Sequence, residues 1–194
     1  MGIRSFLAFE LPKEIREIVA QTSLEMRNYG LDVRWVRPAN IHLTIVFMGD
    51  VDPDRLTAIE AALDPVCRGQ SPFPVALKGT GVFPNRRRPN VIWIGLAGNA
   101  EEMSQFRDTL QDQLASFGIQ KEVRTFKPHL TLGRFRRGSA PGGGLDRVLS
   151  RFADLESPVC ALKGITLFRS DLKPEGPIYA RLKQWALKGA TQNA

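Results

Sequence analysis

The sequence predicts an α+β fold of two pseudo-symmetric lobes, with antiparallel sheets, helices packed outside them and a central cleft between. Three observations carry that prediction. The tripeptide HLT occurs at 42–44 and again at 129–131, "ALKGTGVF" at 76–83 returns as "ALKGITLF" at 161–168, and two helix-ending glycines, Gly30 and Gly118, keep nearly the same offset. Three landmarks sharing one long offset mean an internal duplication rather than a solenoid of short repeats. Antiparallel pairing follows because "RWV" and "HLTIVFMG" leave no room between them for the helix a parallel crossover needs.

In chain order, "FLAFEL" (6–11) reads as a strand. Pro12 opens a helix whose Ile15, Ile18, Val19, Thr22 and Met26 share a face before Gly30 ends it. "RWV" and "HLTIVFMG" read as strands around "RPAN". Asp52 with Pro53 caps a second helix with Leu56, Ile59, Leu63 and Val66 on its stripe, and "FPVALKGTGVF" (73–83) is a strand weakened by glycines. The order then repeats: the strand "VIWIGLAG" (91–98), an Asn99 cap, and a helix with Met103, Phe106, Leu110, Leu114 and Phe117 inward. "EVRTF", "HLTLGRF", the loop "GSAPGGG", a short helix with Leu145, Val148, Leu149 and Phe152, and the strand "VCALKGITLF" (159–168) follow. The expected division is one domain over 1–194, with copies near 5–88 and 89–170 and a last strand near 177–187.

Composition narrows the function. A chain of 194 residues, 43% hydrophobic, can bury a sizeable core. It has no apolar run of membrane-spanning length, and "MGIRSFLAFELPKEIRE" becomes charged too early for a secretory signal, so a soluble cytoplasmic protein is expected. Cys67 and Cys160 have no CxxC spacing and read as small buried hydrophobes in a reducing compartment. The net charge of +7 favours polyanionic partners, and much of it is arginine, in "NRRRPN" (Arg86, Arg87, Arg88) and "GRFRRG" (Arg134, Arg136, Arg137).

The two histidines of the chain are the two HLT histidines, His42 and His129. On a strand, residues i and i+2 share a face, so His42 with Thr44, and His129 with Thr131, each present an imidazole beside a hydroxyl. Chance alone would give both histidines that threonine about twice in a thousand such chains, so catalysis outranks packing. Two lobes facing across a pseudo-twofold cleft bring these four groups together. One imidazole can then serve as base toward water and the other as acid toward a leaving oxygen, while hydroxyls hold phosphoryl oxygens. That set suits phosphodiester cleavage with no metal and no cofactor. Two histidines and two scattered cysteines offer no zinc cluster, and "GTG" at 79–81 lacks the lysine and helix of a phosphate loop. A Ser or Cys nucleophile would leave one HLT strand unexplained.

These residues resemble the 2H phosphoesterases, named for paired H-x-[ST]-x motifs, and within them the LigT-like RNA 2',3'-cyclic phosphodiesterases, formerly 2'-5' RNA ligases. The likeness runs nearly end to end, through "FLAFELP", "WVRPANIHLTIVFMG", "RTFKPHLTLGR" and "LFRSDLKPEGPIYARL". It implies metal-independent hydrolysis of RNA 2',3'-cyclic phosphate ends to 2'-phosphomonoesters, with His42 as proton donor and His129 as proton acceptor. Spacing alone does not choose between the two. The resemblance also gives Thr44 and Thr131 the phosphate, with Arg134 as a further contact. Five residues after His129, Arg134 would point out of the cleft on a regular strand, unless Gly133 allows a bulge. Phe47 and Phe126 are candidates to stack on a base, yet Phe47 shares the core-facing parity of Leu43, which favours the core. Trp35, Trp93 and Trp185 read as core or rim packing. The rival readings are a 2'-5' RNA ligase, a small cyclic-nucleotide phosphodiesterase, and a non-catalytic RNA-end binding module; none needs a membrane or an obligatory protein partner.

Overall fold

The computed structural model describes residues 2–138, 142–174 and 176–189. The first half runs β1 (Ile3–Phe9), α1 (Lys13–Arg27), β2 (Val33–Trp35), β3 (Leu43–Val51), α2 (Leu56–Gly69) and β4 (Phe73–Phe83). The second runs β5 (Val91–Gly98), α3 (Ala100–Ala115), β6 (His129–Phe135), α4 (Gly142–Arg151), β7 (Cys160–Leu162), β8 (Gly164–Lys173) and β9 (Gly176–Ala186).

Helical spacing decides which residues leave water. Ile15, Val19, Thr22 and Met26 of α1 are buried, and the chain turns away at Gly30, whose φ of 69° suits a residue without Cβ. Asp52 accepts from the Asp54 amide at 3.1 Å, but it caps a 3-10 turn (Pro53–Arg55) that leads into α2 rather than α2 itself. On α2 the stripe is Ile59, Leu63 and Cys67, all fully buried, and Cys67 takes the place expected for half-buried Val66. Burial pushes the Cys67 thiol up to about 12, so it behaves as a hydrophobe at neutral pH. Asn99 caps α3, its side-chain oxygen accepting from the Glu102 amide at 3.1 Å, and Met103, Phe106, Leu110 and Leu114 face inward. Leu110 is fully buried. Leu110→Ala is expected to cost about 2–5 kcal/mol, read as a lower urea midpoint at unchanged slope.

Two antiparallel sheets result, of order β3-β1-β8-β9 and β2-β6-β5-β4-β7. Each sheet takes strands from both copies of the duplication. β8, from the second copy, pairs with β1, and β4, from the first, pairs with β5. The lobes are therefore not the copies: the duplicated "ALKG" strands have exchanged places. This exchange also breaks the strand expected over 159–168. Cys160–Leu162 pairs with β4 in one sheet, and from Gly164 the chain crosses to the other. Leu7, Leu43 and Ile165 of one sheet and Ile92, Leu130 and Leu162 of the other lie in one continuous core with the helices.

"EVRTF" is not a strand. Val123 is 94% exposed, and the segment's backbone groups are taken by buried side chains of α3. Arg107 donates to the carbonyls of Glu122 and Arg124, and Gln111 accepts from the Glu122 amide at 2.6 Å. With those groups satisfied, no ladder partner is needed. In "GSAPGGG", 139–141 lie outside the described residues and Gly142–Gly144 begin α4. Among the described residues, no helix is long and apolar enough to cross a membrane.

Candidate active site

Both motif strands carry the same irregularity. Leu7 lies opposite Val46 and Ala8 opposite Thr44, so Ile45 is an extra residue on β3. Ile92 lies opposite Gly133 and Trp93 opposite Thr131, so Leu132 is an extra residue on β6. A bulge reverses the facing of everything after it. Ile45 with Val46, and Leu132 with Gly133, are consecutive buried pairs. Phe47 and Arg134 consequently return to the side of Thr44 and Thr131. Phe47 is 51% exposed with the Arg4 guanidinium 4.5 Å above its ring, which corrects its expected place in the core. Arg134 reaches the cleft face by the bulge that its odd spacing requires. Gly133 is needed there, because a Cβ would meet Val33 Cγ1 at 2.3 Å.

β3 and β6 belong to different sheets and pack against each other, which brings together the strands that begin at the two HLT segments. His42 Nδ1 lies 2.8 Å from the Asn40 carbonyl, and His129 Nδ1 lies 2.7 Å from the Lys127 carbonyl. A carbonyl only accepts, so each Nδ1 carries a proton and donates it. Each Nε2 is thereby the titrating atom, a base when the ring is neutral and an acid when it is protonated. Asn40 is itself held by β9, donating from Nδ2 to the Pro177 carbonyl at 2.9 Å.

Aromatic rings wall both histidines. Phe6 stacks on His42 with centroids 4.8 Å apart, Phe168 lies at 6.2 Å, and Tyr179 meets the ring edge-on at 5.3 Å. Phe83 meets His129 edge-on at 5.0 Å, and Trp93 lies at 6.4 Å. Phe83 and Phe168 end the repeated octapeptides, so the sequence repeat held a signal for these walls. The remaining wall residues differ by a swap of size. Ala8, opposite Thr44, faces Thr166 across the sheet, whereas Trp93, opposite Thr131, faces Gly81, where a Cβ would strike the indole at 2.3 Å. Trp93 is thus a wall of the site, while Trp185 is buried and Trp35 sits half-buried under Arg27. Phe126 is partly buried, with the Arg107 guanidinium 5.4 Å from its ring.

Charge breaks the pseudo-symmetry. Burial lowers both imidazoles, each opposed by its backbone carbonyl, and His129 is lowered further by the positive charge of Arg134. His42 has Phe47 at the matching position and feels no such cation. Burial raises the Tyr179 phenol, and Arg134 and Arg4 pull it back. Arg134 is therefore felt on both sides of the cleft, at His129 and at the tyrosine that touches His42. A hollow of about 520 Å³ beside α3, lined in part by Arg107, Asp108, Glu122 and Arg124, includes none of the motif residues. Among the described residues, no three His, Cys, Asp or Glu side chains cluster as metal ligands.

Two lobes, each with one strand that carries a histidine–threonine motif, fit the class of the 2H phosphoesterases. The chain belongs to its LigT-like phosphoesterase family, whose sequence profile (LigT like Phosphoesterase) matches residues 9–93 and again 94–179. It is 33% identical over 187 residues to an RNA 2',3'-cyclic phosphodiesterase of Methanothermobacter thermautotrophicus, covering 96% of this chain and 100% of that one. An RNA 2',3'-cyclic phosphodiesterase of Thermus thermophilus is 34% identical over 195 residues, covering 96% and 91%. Among solved structures, a Thermus thermophilus protein superposes with a TM-score of 0.81 at 28% identity, covering 96% of this chain and 99% of the other. E. coli LigT complexed with 3'-AMP gives 0.73 at 25% identity, again covering 96% and 99%. The fold, the family and the relatives make this chain a phosphoesterase.

Proposed function

We propose that the enzyme hydrolyses RNA 2',3'-cyclic phosphate ends to 2'-phosphomonoesters, without metal, using His42 as proton donor and His129 as proton acceptor. One observation carries this reading: both imidazoles have Nδ1 committed to a carbonyl, which leaves Nε2 as the titrating atom, each two residues before a threonine and at the start of strands that pack together. Water loses a proton to His129 Nε2 as its oxygen bonds to phosphorus. The P–O3' bond breaks in line, and His42 Nε2–H delivers its proton to the departing 3' oxygen. Thr44 and Thr131 hydroxyls donate to the non-bridging oxygens, and Arg134 supports the charge that grows on them. The product keeps its phosphate on the 2' oxygen. Afterwards His129 is protonated and His42 neutral, and exchange with solvent restores both.

The position of Arg134 supports this division of roles. Its charge favours a neutral His129, as a base requires, and among the described residues no cation lowers His42 in the same way. Removing that charge in Arg134→Gln lets His129 hold its proton more readily, so its pKa rises. The imidazole C–H proton resonances of His129 are expected to titrate at higher pH in the variant than in wild type; an equal or lower value would contradict the assignment.

The pH dependence of hydrolysis tests the pair. kcat/KM is expected to follow a bell, with the acidic limb from His129 and the alkaline limb from His42. The bound phosphate anion raises the pKa of His42, so the alkaline limb of kcat should lie above that of kcat/KM. A monotonic profile would sink the paired acid and base.

A further inference from the structure

The arginines of the cleft continue beyond the reacting centre. Arg34 of β2 lies directly opposite Arg134 of β6, and residues opposite one another in antiparallel strands point to the same face. Both are exposed, and neither forms an ion pair among the described residues. Like charges placed directly opposite destabilise a sheet. Such a pair is therefore a cost to the folded state that an anion on this face would remove.

The same row runs on across the sheet. Val91 lies opposite Arg134 and Phe83 opposite Val91, so four strands at about 4.8 Å spacing carry the row across roughly 15 Å. Past Phe83 the chain turns through 84–90, the segment that bears Arg86 to Arg88. This turn is fixed in place: the Arg87 and Arg88 amides donate to Asn85 Oδ1 at 3.0 Å, and the Phe135 amide donates to the Asn90 carbonyl at 3.0 Å. Nearby carboxylates engage other arginines, Asp146 with Arg86 at 3.7 Å and Asp32 with Arg136 at 3.5 Å. Arg87 and Arg88 make no ion pair among the described residues.

We propose that Arg34, together with Arg87 and Arg88, forms a phosphate track that holds the single RNA strand leading up to the cyclic end. Guanidinium groups match the geometry of phosphate oxygens, and cations on either flank of Arg134 along one row suit the phosphates that precede a cyclic end held at Arg134. The track gives the enzyme its preference for an RNA end over a free cyclic mononucleotide. This inference rests on the proposed reaction only for the direction in which the strand runs.

The test compares kcat/KM for a 2',3'-cyclic mononucleotide and for a single-stranded hexaribonucleotide with the same cyclic end, in wild type, Arg34→Gln and the double variant Arg87→Gln/Arg88→Gln. The expected result is at least a tenfold fall in the hexamer-to-mononucleotide ratio for each variant. In wild type, log(kcat/KM) for the hexamer should fall more steeply with log salt than for the mononucleotide, by about 0.7 for each added phosphate contact. Equal losses on both substrates, or an unchanged ratio, overturn the track. If wild type hydrolyses neither substrate, the proposed reaction has failed, and fluorescence anisotropy of a labelled hexamer ending in a plain 3'-hydroxyl decides the track separately. Weaker binding by Arg34→Gln then sustains it, and equal binding overturns it. Tighter binding of an RNA duplex than of the single strand also overturns it.

Discussion

Alanine at His42 or at His129 is expected to lower kcat on a 2',3'-cyclic phosphate end by about 10²–10⁴-fold, the usual worth of one positioned acid or base. Affinity for the RNA should change far less, because the proposed phosphate contacts of Thr44, Thr131 and Arg134 remain. The pH profiles distinguish the variants. His129→Ala loses the acidic limb, since no base remains to be deprotonated, and His42→Ala loses the alkaline limb. Among the described residues each ring is braced by a backbone carbonyl and its aromatic walls, so thermal unfolding should show both variants folded. Loss of less than tenfold at either position would remove that histidine from the chemistry.

Valine at Thr44 or Thr131 is expected to lower kcat by about 10²–10³-fold, the loss seen when one donor to a developing oxyanion is removed. Valine keeps the β-branched shape that suits a strand and deletes only the hydroxyl. In the proposed mechanism the two threonines act on the same phosphoryl group, so the double variant should lose less than the product of the single losses. A fall in affinity with unchanged kcat would mean that the hydroxyls hold ground state and transition state alike. Single-turnover rates beside binding constants separate these outcomes.

Much of the fold, and the choice of candidate site residues, was legible because both rest on short-range periodicity. Alternation placed His42 with Thr44 and His129 with Thr131, and helical spacing identified Ile15, Ile59, Leu63 and Leu110 as inward residues. What stayed hidden depends on pairing between strands distant in sequence. Nothing local marks Ile45 or Leu132 as an extra residue, because a bulge is defined against the partner strand. Local alternation therefore assigns Phe47 to the core and does not decide Arg134. The exchange of β4 and β8 between sheets is likewise a property of the pairing, and the octapeptide repeat reveals only that the two strands are equivalent. "EVRTF" alternates like a strand, but a buried arginine and glutamine on α3 compete successfully for its backbone. Phe6, Trp93 and Tyr179 were missed as walls of the site for a different reason. Aromatic residues in strands serve cores and clefts alike, and only the register decides which.

Phosphorus NMR of a short RNA ending in a 2',3'-cyclic phosphate, incubated with the enzyme in excess EDTA, reads the product, the metal requirement and the need for each histidine together. Conversion to a 2'-phosphomonoester by wild type is expected, with no conversion on the same timescale by His42→Ala or His129→Ala. A 3'-phosphomonoester, abolition of wild-type turnover by EDTA, or undiminished turnover in either histidine variant would contradict the proposed mechanism.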